Sequence, residues 1–336
     1  MAEIFRIEFP DDLRHAVFKA AELLRRGELV AVPTETVYGL AANAWDEEAV
    51  LRIFAAKERP ASNPLIVHVA SREMALQCVS NWPEDAELLA RQFWPGPLTI
   101  VLPKSSRIPD AVTAGGNTVG IRWPSHPFMQ ALIQECGFPL AAPSANSSNE
   151  LSPTQAEHVI KSLGERIPLV IDAGPSAVGI ESTVIEVTAS GFHLLRPGSI
   201  TSKAIEKTLG KEQRDSKKIS NGPAKSPGQL ARHYSPQACL VLRTWKNETE
   251  LTRIIDESGV NPRLIHLVCH EKVPHSNSLG RIALIPADAE AYARALYSEL
   301  HRCDETGAKL IIVEDLPATP EWEGVRDRLT RAAHQR

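Results

Sequence analysis

Residues 33–69 read PTETVYGLAANAWDEEAVLRIFAAKERPASNPLIVHV. An apolar strand, Leu29 to Val32, runs into Pro33 and stops there. Thr34, Glu35, Thr36 and Tyr38 crowd polar groups onto the turn that follows, and Gly39 lets the backbone bend or approach a ligand closely. A helix comes next, with Asp46 as its N-cap and Ala49, Val50, Ile53 and Phe54 on one face, and Pro60 ends it just past Lys57 and Arg59. The apolar strand 65–69 carries His68. Cations in a last helical turn complement the macrodipole without any ligand, and a strand histidine is ordinarily a core residue. The combination points further: a hydroxyl-rich turn, two cations, the amide of Asn63 and His68 describe an anion-binding floor.

Composition sets the limits around that floor. At 336 residues the chain exceeds one typical core, so two domains are expected. A net charge of -4 with 23% charged residues excludes a protein that holds nucleic acid by bulk electrostatics, so any RNA contact is local. The five cysteines are widely spread with no CxxC spacing, which indicates neither a disulfide framework nor a zinc site. The N-terminus lacks the regions of a signal peptide, and no apolar run is long enough to cross a bilayer. These features describe a soluble cytoplasmic protein with no membrane partner.

Helix and strand patterns alternate along the first 210 residues, the signature of an α/β domain. An amphipathic helix after Asp11 is stopped by Gly27, helical patterns cover 72–78 and 84–93, and Pro127 to Cys136 reads as a helix stopped by Gly137. The strand 118–121 delivers Arg122 at its end. The strand 140–142 ends in Pro143-Ser144-Ala145-Asn146, a second polar cluster directly after an apolar strand, and in open α/β sheets ligands sit outside strand ends. Ser152 with Pro153 then opens a helix to Leu163, with Pro153 suiting its first position. Glu181-Ser182-Thr183 introduces another strand, and the one after it ends at Arg196-Pro197-Gly198, giving a further cation. Residues 211–237 lose all apolar periodicity and read as a linker. Within that linker SPGQLARHYSP carries Arg232, His233 and Tyr234, residues of recognition rather than of spacing. Residues 238–336 alternate four strands with three helices, a smaller Rossmann-like α/β domain without the GxGxxG fingerprint of a dinucleotide binder.

PTETVYGL, the K-x-R of Lys57 and Arg59 followed by NPLIVH, the S-x-N of Ser144 and Asn146, ESTV, LRPG and the linker's RHYSP stand in this order over nearly the whole chain. Together they resemble the YrdC-type threonylcarbamoyl-AMP synthases, in the long form with a linker and a C-terminal domain. The resemblance implies a twisted open α/β domain with a concave basic site. It implies formation of threonylcarbamoyl-adenylate and pyrophosphate from L-threonine, bicarbonate and ATP with Mg²⁺. The product would feed a tRNA threonylcarbamoyl transferase complex that makes N6-threonylcarbamoyladenosine. By the same resemblance Thr36, His68, Arg122, Ala142 and Ser182 face threonine, and Arg59, Asn63, Thr118, Ser144, Ser152, Arg196 and Tyr234 face ATP or the adenylate. Lys57 and Arg59 would carry the catalytic charge. Gln229 and Ala231 depart from the family's linker pattern, which has a methionine and an aromatic residue there.

The residues suit that chemistry. A threonine carboxylate is matched by a planar guanidinium such as Arg122, and in the absence of a GxxxxGK[ST] loop Lys57, Arg59 and Arg196 can neutralise phosphates. No protein nucleophile is needed, so positioning, charge neutralisation and water exclusion suffice. A linker of this length suggests a lid over the first domain's site. Two other classes fit less well. A double-stranded-RNA-binding or ribosome-associated module would use the same basic face for phosphodiesters. A carbamoyl-handling or acyl-transfer hydrolase would need an activated nucleophile, which the motifs do not offer.

Overall fold

The structure, a computed structural model, describes residues 1–188, 191–214, 234–274 and 278–333. The chain divides into two units, Met1–Ser148 with Ser152–Gln229, and Asn149–Leu151 with Leu230–Arg336.

The first unit is built on a ten-stranded mixed sheet. Its strands are β1 (Glu3–Arg6), β2 (Val30–Val32), β3 (Gly39–Asn43), β4 (Ile66–His68), β5 (Leu98–Pro103), β6 (Thr118–Arg122), β7 (Leu140–Ala141), β8 (Leu169–Asp172), β9 (Thr183–Thr188) and β10 (Gly191–Arg196). They lie in the order β1-β8-β2-β3-β7-β4-β6-β5-β9-β10. Successive residues of a strand point to opposite faces, and the core divides accordingly. Val30 and Val32 join one apolar cluster with Ala16, Ala20, Leu24, Phe128 and Leu132, from helices α1 (Pro10–Arg25) and, further along, Pro127–Cys136. Ala31, Leu40 and Ala42 join a second cluster with Val50, Ile53, Leu89, Val159 and Ile205, from helices on the other face. Helices on both sides of one sheet make a three-layer α/β unit.

Local signals set several of these elements. The helix that follows β3, α2 (Glu47–Lys57), starts where the Asp46 carboxylate accepts the amides of Glu48 and Ala49 at 3.0 and 3.2 Å. The helix Pro127–Cys136 begins on its proline and ends at Gly137, which holds φ +75°.

Other elements differ from expectation. The helix expected from Pro153 runs from Ala156 to Leu163. Residues before it are held by tertiary hydrogen bonds instead, the Pro153 carbonyl accepting from Tyr38 N and the Thr154 carbonyl from Ser176 N, at 2.8 and 2.9 Å. The alanine-rich β3, where a turn was expected at Gly39, pairs with β2 and β7, and its β character comes from those neighbours. The short strand β1 and the helix Ser202–Leu209 have no counterpart in the sequence reading.

The second unit carries a four-stranded parallel sheet of β11 (Cys239–Arg243), β12 (Ile265–Cys269), β13 (Arg281–Leu284) and β14 (Leu310–Glu314), ordered β11-β14-β12-β13. The expected smaller Rossmann-like domain is present. No described helix is long and apolar enough to cross a membrane. Most of the expected linker, with Arg232 and His233, lies outside the described residues.

Candidate active site

Among the described residues of the first unit, the buried lysines and arginines are Lys57, Arg59, Arg122 and Arg196. A cation is withdrawn from water only where fixed partners receive it, so each of the four identifies a built environment.

Arg122 ends β6 and pairs across the parallel ladder with His68 at the end of β4. Its Nε donates to the Gly96 carbonyl at 3.3 Å, and its Nη1 donates to Thr36 Oγ1 at 2.9 Å. Its Nη2 lies 2.7 Å from Glu35 Oε1, an ion pair whose side chains are 4% and 8% exposed. Glu35 Oε1 also accepts the Ser125 amide at 3.0 Å, whereas Oε2 takes no hydrogen bond from the described residues. Burial pushes the Glu35 carboxyl up, but the Arg122 charge and the hydrogen bonds of Arg122 and Ser125 outweigh it and leave the group below its ordinary range. His68 moves the other way for a base: burial, then the Arg122 charge, holds it down to about 3, so the imidazole is neutral at physiological pH. Its Nδ1 has no hydrogen-bond partner among the described residues.

The turn after β2 is fixed from several sides. Thr34 Oγ1 bonds the Val37 carbonyl and Thr36 Oγ1, at 2.6 and 2.9 Å. The Glu35 and Thr36 carbonyls accept from Val178 and Gly179, and Tyr38 Oη donates to the Gly174 carbonyl at 2.7 Å. The glycine-containing loop 174–179 therefore sets the strand-end turn of PTETVYGL.

Ser182 and Arg196 form a second group. Arg196 donates from Nε to the Ser182 carbonyl and from Nη2 to Ser182 Oγ, both at 3.1 Å, and Thr99 Oγ1 lies 2.8 Å from the same Ser182 Oγ. Gly198 allows the LRPG and ESTV motifs to meet. A Cβ there would lie 2.4 Å from Thr183 N and 2.8 Å from the Glu181 carbonyl.

Lys57, at the end of α2, donates to the main-chain carbonyls of Ser144 and Asn146, joining the K-x-R and S-x-N motifs. Arg59 donates to the carbonyls of Asn63 and Pro64 at 3.1 and 2.8 Å and so shapes the loop before β4. The amide Nδ2 of Asn63 is buried with no hydrogen-bond partner among the described residues. Ala142 follows β7, with its Cβ 3.3 Å from where a Cβ on Gly39 would stand. Ser152 hydrogen-bonds the Glu181 carboxylate. Thr118 opens β6, half-buried and opposite Pro103.

The remaining residue expected at the nucleotide is Tyr234. It belongs to the second unit, is buried at φ +61°, packs 6.1 Å from the Tyr297 ring and has the Arg328 guanidinium 5.1 Å from its ring centre. The second unit also gathers His270, Glu271 and Glu314 with ligand atoms within 4.8 Å of one another. Glu314 Oε2 there accepts the amides of His270, Glu271 and Lys272 at 2.9, 3.0 and 3.3 Å, so its described work is to hold the loop after β12.

Sequence reasoning singled out the cations and serines and missed the residues that hold them, Glu35 on Arg122, Thr99 on Ser182 and Glu181 on Ser152. Glu35 carried a signal, a carboxylate in a polar turn, but its partner Arg122 lies far along the chain. Thr99 is indistinguishable from any strand threonine until Ser182 is brought beside it.

Residues 22–198 match the Sua5, YciO and YrdC family, described as telomere recombination, and residues 200–334 match the threonylcarbamoyl-AMP synthase C-terminal domain. The chain is similar to the threonylcarbamoyl-AMP synthase of Pyrococcus abyssi, 41% identical over 326 residues, covering 94% of each chain. It is equally similar to the enzyme of that name from Bacillus subtilis, 41% identical over 326 residues, covering 94% of this chain and 92% of the relative. Among solved structures, P. abyssi Sua5 complexed with L-threonine matches with a TM-score of 0.88 at 38% identity, covering 99% of this chain and 97% of that one.

Proposed function

The chain belongs to the Sua5, YciO and YrdC family of threonylcarbamoyl-AMP synthases, and on that footing we propose that its first unit makes threonylcarbamoyl-adenylate and pyrophosphate from L-threonine, bicarbonate and ATP. The observation that carries this is the buried Arg122. Its Nε and Nη1 hydrogen-bond Gly96 and Thr36, while Nη2, within ion-pair distance of Glu35, takes no hydrogen-bond partner among the described residues, so both terminal nitrogens keep N–H donors for a carboxylate. Thr36, His68, Ala142 and Ser182 line the same amino-acid subsite. The P. abyssi relative solved with L-threonine supports this choice of ligand.

ATP enters with Mg²⁺ as part of the substrate, the ion neutralising phosphate charge. Arg59, Asn63, Thr118, Ser144, Ser152 and Arg196 face the nucleotide, and the buried Nδ2 of Asn63 is a ready donor to a phosphate oxygen. Lys57 acts by fixing the carbonyls of Ser144 and Asn146, so that the hydroxyl of Ser144 is presented on a rigid loop.

Threonine's ammonium gives up one proton to solvent, the free amine attacks the carbon of bicarbonate, and water leaves, giving an N-carboxylate. One carboxylate oxygen then attacks the α-phosphorus of ATP while the bond from that phosphorus to the β-bridging oxygen breaks, and pyrophosphate departs. Neither step needs a protein nucleophile, in keeping with a site of buried donors and cations. The adenylate then passes to a tRNA threonylcarbamoyl transferase complex, and any tRNA contact of this chain is local, as its net charge of -4 indicates.

The test is pyrophosphate release with each substrate omitted in turn. Release that needs ATP, threonine and bicarbonate together is the expected result. Release that ignores threonine would count against the proposal.

A further inference from the structure

The Glu35–Arg122 pair contains one oxygen that the protein does not use. Glu35 Oε1 is occupied by Arg122 and the Ser125 amide, while Oε2 is buried and takes no hydrogen bond from the described residues. A buried carboxylate oxygen without a donor costs desolvation free energy that nothing in the resting site returns. Close by in the fold, His68 adjoins Arg122 in the β4–β6 ladder, and its Nδ1 is likewise buried without a partner among the described residues. The neutral imidazole can offer a lone pair there.

Two buried acceptors beside a guanidinium are a poor match for a carboxylate alone. They match an α-amino acid, whose ammonium and carboxylate are separated by a single carbon. The guanidinium is already paired with the Glu35 carboxylate, so an incoming carboxylate on its own would meet the repulsion of Glu35 as well as the attraction of Arg122. A ligand carrying its own cation removes that repulsion and supplies the donor that Oε2 lacks.

We infer that Glu35 Oε2, assisted by His68 Nδ1, receives the α-amino group of the amino-acid substrate, so that the Glu35–Arg122 pair reads both charged ends of one zwitterion. This rests on the proposed use of threonine and adds a specificity-determining residue to it. After carboxylation the nitrogen keeps one N–H, which can stay on Glu35 and hold the new carboxylate in a fixed direction.

The alternative role for Glu35 is only to hold Arg122 in place, and a ligand without the amine separates the two. L-Threonine and (3R)-3-hydroxybutanoate share the carboxylate and the hydroxyl, and the second lacks the amine. Their affinities are measured by calorimetry on the full chain as wild type and Glu35→Gln, with thermal melting to verify folding. The expected result is that Glu35→Gln weakens threonine by about tenfold or more, the loss of a charge-assisted hydrogen bond, and 3-hydroxybutanoate by less than about threefold. Equal weakening of both ligands in a folded variant overturns the inference and leaves Glu35 as a support for Arg122. Should Glu35→Gln fail to fold, Glu35→Asp keeps the charge one methylene short. A selective loss for threonine in that variant supports the inference, and wild-type affinity for both ligands overturns it. Wild-type protein that binds no threonine would instead remove the proposed function itself.

Discussion

The ammonium of Lys57 donates to the main-chain carbonyl of Asn146, 89 residues further along the chain, and to that of Ser144 as well. The side chain is 1% exposed. A lysine at a helix end would ordinarily reach water, so this one is held inward by the S-x-N loop, and the loop is held by it. Lys57→Met keeps the apolar stem and removes the ammonium's hydrogen bonds to both carbonyls. It should cost about 2 kcal/mol of stability in the first unit, measured by urea unfolding, and lower adenylate formation by about a hundredfold or more through the displaced loop. Near-normal turnover would show that the loop keeps its shape without the lysine.

Arg122→Lys should weaken threonine binding by about tenfold or more while ATP binding changes little, because an ammonium cannot serve Gly96, Thr36, Glu35 and a carboxylate in one plane. Separate titrations with the two ligands check this. A selective loss of ATP affinity would assign the guanidinium to the other substrate.

Thr99→Val removes the hydroxyl that meets Ser182 Oγ and leaves the shape of the site intact. The lost hydrogen bond should cost about 1 kcal/mol of stability. Ser182 would then be oriented by Arg196 alone, and the Michaelis constant for threonine should rise about fivefold with a smaller change in turnover. An unchanged Michaelis constant would mean that Arg196 is sufficient to orient the serine.

His68 gives the pH dependence. Burial, then the Arg122 charge, lowers its folded pKa from 6.5 to about 3. Below about 6.5 the unfolded chain takes up a proton that the folded site refuses, so the stability contribution is full above that pH. It is lost progressively as pH falls toward 3, by up to about 1.4 kcal/mol per pH unit. The urea midpoint of the first unit should therefore drop between pH 7 and pH 5, and His68→Gln should reduce that drop. Ring proton resonances of His68 that titrate near 6.5 would contradict the buried neutral state.

What could be read from the chain is what local chemistry dictates. The helix Pro127–Cys136 was legible because a proline opens it and Gly137 closes it, and α2 because Asp46 caps it. The buried cations Lys57, Arg59, Arg122 and Arg196 were legible because each stands in a polar cluster beside an apolar strand. What could not be read depends on partners distant in sequence. β3 is alanine-rich and extended only because β2 and β7 flank it, and the start of the helix Ala156–Leu163 is set by bonds from Tyr38 and Ser176 to the residues before it. Glu35 and Thr99 belong to the same class: their roles exist only once Arg122 and Ser182 are adjacent.

The central claim is that one site in the first unit joins three substrates into one molecule, and isotope labelling of the product tests it most directly. The full chain is incubated with ATP, L-threonine and ¹³C-bicarbonate, and the nucleotides are resolved by mass spectrometry. The account predicts a threonylcarbamoyl-adenylate heavier by one mass unit than the product from unlabelled bicarbonate, formed together with pyrophosphate and absent in Arg122→Ala. A product mass indifferent to the label, or AMP and pyrophosphate released with no threonine adduct, would contradict it.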